Sequence, residues 1–218
     1  MNYIVYDLEL NSKPFKSSIP NEIIEIGAIK LNENLQEIGV FSSFIKPKHF
    51  KKLFPVVKQK TKITQDQINS ADSFRNVIKQ FIRWIGDDFI LISWGHDDVH
   101  NLILNCKFNR IRTDWLKRNI DIQKQFSTIY NLPSGQRYSL ENALSLIGVE
   151  IGENLHRALN DAEYTAKIFA SIFDKLDLKV YNTVHIKNKY KRIFKKNSKP
   201  KPMALAKQIG VEKANNKS

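Results

Sequence analysis

In the run YIVYDLELN, residues 3–11, two acids stand two positions apart inside an apolar, β-favouring stretch. Residues i and i+2 of a strand point to the same face, so Asp7 and Glu9 project from one side, about 7 Å apart along the backbone. Like charges at that range repel, and both stay ionised only with water or a cation between them. On a surface strand water suffices. On a central strand, where the apolar flanks put it, burial demands compensation, and a divalent metal provides it.

Two later segments offer further oxygen ligands. SWGHDDVHNL, 93–102, sets Asp97 and Asp98 just past a short strand, at a helix start where an acid also serves as a simple cap. LHRALNDAEYTA, 155–166, sets His156, four intervening residues and then Asp161 on a long helix. Taken singly, such a histidine is more often structural than reactive, and such an aspartate is unremarkable.

The elements that must position these groups follow from apolar periodicity. Residues 3–10, 22–31 and 37–45 read as three strands with a turn at 32–34, plausibly antiparallel. Residues 46–63 read as irregular and basic. Thr64 reads as an N-cap, with helix starting over 64–68. Helix is expected over 73–86, with Gly86 as its stop, then a strand over 88–93 and a helix over 98–108. A short strand running into a helix is expected within 119–130. Ser139 caps a helix ending at Gly148, and the strongest helical pattern runs from 158 to 176. Strands first, then strands alternating with helices, define an α/β domain with a mixed central β-sheet flanked by α-helices.

Composition narrows the class. The chain has 218 residues, 42% of them apolar, one cysteine and a net charge of +13. A lone Cys106 excludes an internal disulfide framework and a multi-cysteine zinc site; beside Leu104 and Phe108 it reads as a small core residue. No run of 18 apolar residues and no signal-peptide pattern is present, so the expectation is a cytoplasmic protein that does not span a membrane. The positive charge points to a polyanionic partner, nucleic acid or an anionic membrane surface, or simply to a basic background. Residues 187–201 hold eight Lys or Arg and no acid. The expected organisation is one domain over 1–180 and a basic tail or appendage over 181–218.

The ordered set Asp7-x-Glu9, Asp98 within SWGHDD, and His156-x4-Asp161 resembles the DEDDh superfamily of 3′-to-5′ exonucleases, which has an RNase H-like fold. NEIIEIGAIKL resembles the family's second-strand segment, and KTKITQDQI, 60–68, resembles its Leu-Thr-Gly-Ile-Thr loop. The resemblance runs from about residue 3 to 176 and looks closest to the branch of KapD-like proteins and histone-mRNA exonucleases. The spacing to Trp94 and Gly95 selects Asp98 over Asp97. Two departures stand out: Asn11 replaces a frequent Thr, and Lys62 replaces the usual Gly of the loop. Both positions lie near where the family holds the terminal nucleotide.

The resemblance implies that Asp7, Glu9, Asp98 and Asp161 hold two divalent cations, Mg2+ or Mn2+, and that His156 is the general base. The implied partner is the 3′ end of single-stranded RNA or DNA. Leu10, Asn11, Phe15, Lys62, Ile63 and Trp94 are candidate contacts for the terminal nucleotide, with core packing the favoured role for Leu10 and Trp94. Tyr190 and Phe194 in the basic tail could extend a single-strand track. Two other readings remain open: a nucleic-acid-binding module without turnover, and a proofreading subunit of a polymerase complex.

Overall fold

The computed structural model describes residues 1–152 and 155–182. Its core is a sheet of six strands in the order β4-β3-β2-β1-β5-β6. The strands β1 (Asn2–Asn11), β2 (Glu22–Leu31) and β3 (Glu37–Lys46) form an antiparallel meander. On the other side of β1 lie β5 (Phe89–Ser93) and β6 (Asn119–Asp121), both parallel to it. The strand β4 (Asp72–Ser73) adds a two-residue parallel edge to β3. The first strand is therefore central, as its apolar sequence requires.

The side chains of β1 alternate between two cores. Ile4, Tyr6 and Leu8 pack under α3 (Phe74–Ile85) and α4 (Asp97–Phe108), against Val77, Ile78, Phe81 and Leu102. Tyr3 and Val5 pack on the opposite face against α5 (Ile122–Ile129), α6 (Leu140–Leu146) and α7 (Ala158–Ile172), through Phe126, Leu144, Ile168 and Phe169. Period-two alternation then carries Asp7 and Glu9 onto the α7 face. Cys106 is a free, buried thiol within the first of these cores.

Caps end the helices where the sequence places them. The Thr64 hydroxyl accepts from the Gln67 amide, closing a capping box on α2 (Gln65–Ser70). The Ser73 and Ser139 hydroxyls cap α3 and α6 with single bonds, accepting from the amides of Asn76 and Asn142. Gly86 follows α3 at φ +80°, in the left-handed region that glycine enters freely.

Three expectations need correction. The segment 46–63 is not wholly irregular: Pro55–Thr61 is a helix, α1, opened by Pro55 in its first turn and closed by Lys62 at φ +59°. The long helix stops at Ile172 and tightens into a 3-10 turn over Phe173–Lys175. The short edge strand β4 has no counterpart in the expected elements. The basic segment 187–201, with Tyr190 and Phe194, lies outside the described residues.

A carboxylate cluster at the end of the central strand

The register sets Asp7 opposite Gly27 and Glu9 opposite Glu25 on β2. Both β2 residues hold α7 in place. A Cβ on Gly27 would lie 2.1 Å from the Leu159 amide nitrogen, so only glycine lets the start of α7 sit directly on the sheet. Glu25 is buried and takes the guanidinium of Arg157 through Nη2 at 2.7 Å and Nε at 3.2 Å. Its other oxygen accepts from the Ala158 amide at 3.1 Å. Arg157 gives α7 no side-chain cap of its own, so Glu25 caps it from the neighbouring strand.

With α7 docked this way, Asp161 in its first turn meets the two acids of β1. One carboxylate oxygen from each of Asp7, Glu9 and Asp161 lies within 4.8 Å of the others. The acids lean together more closely than the strand spacing alone suggests. Asp98, on the first turn of α4, lies outside this trio, yet its charge is the largest acting on the Asp7 carboxyl. Its neighbour Asp97 is exposed and does not figure among the charges that act on Asp7.

The cluster is electrostatically strained. Burial, then the charges of Asp98, Asp161, Glu9 and Glu25, push the Asp7 carboxyl well above the usual carboxylate range. Burial, Asp97, Asp121 and Asp161 do the same to Asp98. Burial and Asp161 raise Glu9 to about 8, against the opposing Lys60 ammonium. Asp161 is raised to about 6 by burial, tempered by the His156 amide and Lys60. The Arg157 guanidinium, which feels the Glu9 charge, is committed to Glu25. Converging hard oxygen ligands with too little positive charge nearby suit a divalent cation of the magnesium or manganese type.

His156 immediately precedes the α7 cap. Its backbone is left-handed, φ +68°, an uncommon state for a side-chain-bearing residue, and its amide donates to Asp161 Oδ1 at 3.3 Å. The loop is thereby tied to the cluster. Burial and Lys60 lower the imidazole pKa, while Glu141 on α6 raises it.

The candidate nucleotide contacts divide. Phe15 is 50% exposed and forms an edge-to-face triangle with Phe50 and Phe54, at centroid distances of 5.7 and 5.8 Å. Lys62 is exposed. Leu10 packs partly buried against the core, and Trp94 packs edge-on against Phe126. Two expectations fail. Ile63 is 1% exposed within a small core with Ile24, Leu53 and Ile68. Asn11 is fully buried; it donates to the carbonyls of Phe50 and Lys52 and accepts from the Phe54 amide. Its side chain is engaged in holding the stretch that carries Phe50 and Phe54 of the aromatic triangle.

The sequence reading missed Glu25, Gly27, Lys60, Phe50 and Phe54. Of these, only the acid inside the apolar run EIIEIGAIKL left a readable trace, and its partner lies 132 residues away.

A mixed sheet carrying a carboxylate cluster on its central strand defines an exonuclease-type nuclease fold. The chain matches the exonuclease family RNase_T over residues 4–169 and belongs to it. It is 26% identical over 176 residues to 3′-5′ exoribonuclease 1 of Rattus norvegicus, covering 76% of this chain and 51% of the relative. It is 29% identical over 172 residues to the probable 3′-5′ exonuclease KapD of Bacillus subtilis, covering 76% and 82%. It is 27% identical over 203 residues to the PolC-type DNA polymerase III of Clostridium perfringens, covering 85% of this chain and 13% of the polymerase. The chain spans about half the length of the mammalian exoribonucleases it matches. Among solved structures, the nuclease domain of 3′hExo, a DEDDh family member bound to rAMP, superposes with a TM-score of 0.73 at 25% identity, covering 84% of this chain and 96% of that one.

Proposed function

We propose that this protein is a metal-dependent 3′-to-5′ exonuclease that hydrolyses single-stranded RNA or DNA from the 3′ end and releases nucleoside monophosphates. The observation that carries this reading is the convergence of Asp7, Glu9 and Asp161 oxygens within 4.8 Å at the end of a central strand. Asp98 stands beside them as a fourth acid. These four would hold two divalent cations, Mg2+ or Mn2+, which when bound supply charge neutralisation at the scissile phosphate and a more acidic water. His156 is the proton acceptor of the proposal. An imidazole ring nitrogen takes a proton from water near neutral pH, and the loop that carries it is tied to Asp161 through its amide. The exposed face of Phe15, backed by Phe50 and Phe54, suits stacking against a base near the terminus, with Lys62 available to a phosphate.

Relatives named as exoribonuclease and probable exonuclease support the activity, and the rAMP bound to 3′hExo is consistent with mononucleotide release. A second reading, a proofreading exonuclease within a polymerase, is favoured by one observation: the match to PolC-type polymerase spans most of this chain but a small part of the polymerase. Co-purification with a polymerase catalytic chain would distinguish it. A cytoplasmic setting belongs to the same proposal.

The test is digestion of 5′-end-labelled RNA and DNA strands with Mg2+ or Mn2+. One-nucleotide ladders that vanish with chelator and in Asp7→Ala support the proposal. Retention of the strand without shortening would point instead to a binding module.

A further inference from the structure

Away from the carboxylates, positive charge among the described residues gathers on the segment that runs from the end of β3 through α1. Residues 46–62 contain seven lysines and no acid, and all seven are exposed. Four cations, Lys46, Lys48, Lys51 and Arg75, line a cavity of about 500 Å³ between this segment, the start of α3 and the C-terminal end of α4. Ser73, Asn105 and Asn109 complete its polar wall. Its one acid, Glu22, is already spent: its carboxylate accepts the amides of Lys48, His49 and Phe50 at 2.7–3.1 Å. Among the described residues, none of the four cations makes an ion pair; Lys46 and Arg75 each donate to a backbone carbonyl, those of Asn69 and Asn109, which leaves their charge uncompensated. Like charges gathered around one cavity repel each other and attract a polyanion, releasing counterions as it binds.

The same segment reaches the carboxylate cluster at its other end, where Lys60 on α1 lies close enough to act on Glu9, Asp161 and His156. Its connecting stretch, residues 48–54, is pinned by Asn11 next to the site and by Glu22 beneath the cavity. The cavity wall offers Lys, Arg, Asn and Ser but no exposed aromatic face, since Phe74 is 7% exposed. It suits sugar–phosphate backbone more than bases.

We infer that the cavity lined by Lys46, Lys48, Lys51 and Arg75 grips the phosphates of the substrate strand on the 5′ side of its reacting end, making the 46–62 segment a track between grip and active site. This inference rests on the exonuclease reading for the direction of the strand.

The test is fluorescence anisotropy with 5′-labelled single strands of three and twelve nucleotides, in chelator so that nothing is hydrolysed. The triple substitution Lys48→Gln, Lys51→Gln, Arg75→Gln is compared with a charge-matched control, Lys79→Gln, Lys124→Gln, Lys167→Gln, whose side chains are exposed elsewhere. The grip requires that the first variant lose about tenfold or more in affinity for the twelve-mer. It requires a salt slope lower by about 2, since each lost phosphate contact on a single strand removes ~0.7. The trimer and the control should change by less than about twofold. The single variant Lys48→Glu, on an exposed side chain, should act in the same direction, so a folding defect in the triple variant does not hide the result. Twelve-mer affinity equal to wild type in both variants overturns the inference. Cleavage by the wild-type protein is read separately: strands that bind through the cavity but never shorten with Mg2+ or Mn2+ would remove the exonuclease reading and leave the grip standing.

Discussion

Asp7, Glu9 and Asp161 dominate the chemistry at the residue scale because burial and mutual repulsion hold their protons on. Each carboxyl binds its proton more tightly folded than unfolded, so between the ordinary carboxylate pKa of about 4 and the raised values the folded state carries more protons. Stability is then fully present at low pH and falls as pH rises through about 6 for Asp161 and about 8 for Glu9. Thermal melts in chelator should show the midpoint dropping between pH 4.5 and 8, and added Mn2+ should recover it most at the alkaline end. The substitution Asp7→Asn should raise the melting temperature in chelator above the ordinary carboxylate pKa, because a neutral amide needs neither the proton uptake nor the burial of charge that the native carboxyl imposes on folding. In steady-state assays with Mg2+ it should reduce cleavage by about a thousandfold, in line with the several kcal/mol attributed to metal-assisted charge stabilisation. A variant both less stable and fully active would contradict this account.

The element scale turns on the docking of α7. Gly27→Ala sets a methyl against the Leu159 backbone, so the helix must move away and take Asp161 with it. Urea unfolding should show a loss of about 1–3 kcal/mol or more, with cleavage falling further than stability explains. Glu25→Ala strands a partly buried guanidinium and uncaps the helix. The expected cost lies at the lower end of about 3–5 kcal/mol, because the Arg157 side chain is 33% exposed. On the opposite side of the site, Asn11→Ala frees three backbone groups of residues 50–54. It should cost about 1–3 kcal/mol in the same experiment and raise KM for single strands through the loosened aromatic triangle.

Those elements also mark how far the sequence could be read. The strand bearing Asp7 and Glu9 was legible because β-branched residues and a period of two leave one arrangement for the pair. Thr64, Ser73, Gly86 and Ser139 punctuate helices through local chemistry, which a linear reading captures. The helix α1 was hidden because only Val57 and Thr61 of its seven residues are buried, leaving lysines where an apolar stripe would show. Asn11 and Ile63 were read as ligand contacts because the family resemblance sets their segments near the terminal nucleotide. Their actual partners are other parts of the chain, 39–43 residues away for Asn11. Glu25 and Gly27 act on α7 across more than 130 residues, and no local pattern announces such a contact.

For the whole molecule, the charge distribution complements the site. Acids gather where the central strand ends, and an acid-free run of lysines begins beside them and continues to a basic cavity. An acid-free run of exposed lysines beside a carboxylate centre draws in a polyanion while reserving the centre itself for cations. The consequence is a steep salt dependence: KM for a twelve-nucleotide strand should rise at least tenfold between 50 and 200 mM salt, while a dinucleotide, which cannot span the track, should change little. The central claim, that Asp7, Glu9 and Asp161 cage a divalent cation, is tested most directly by calorimetric titration of Mn2+ at pH 7 in two buffers of different ionisation enthalpy. The expected result is saturable binding that releases protons, as raised carboxyls require, and that disappears in Asp161→Asn. Equal binding in that variant, or none in the native protein at millimolar Mn2+, would contradict it.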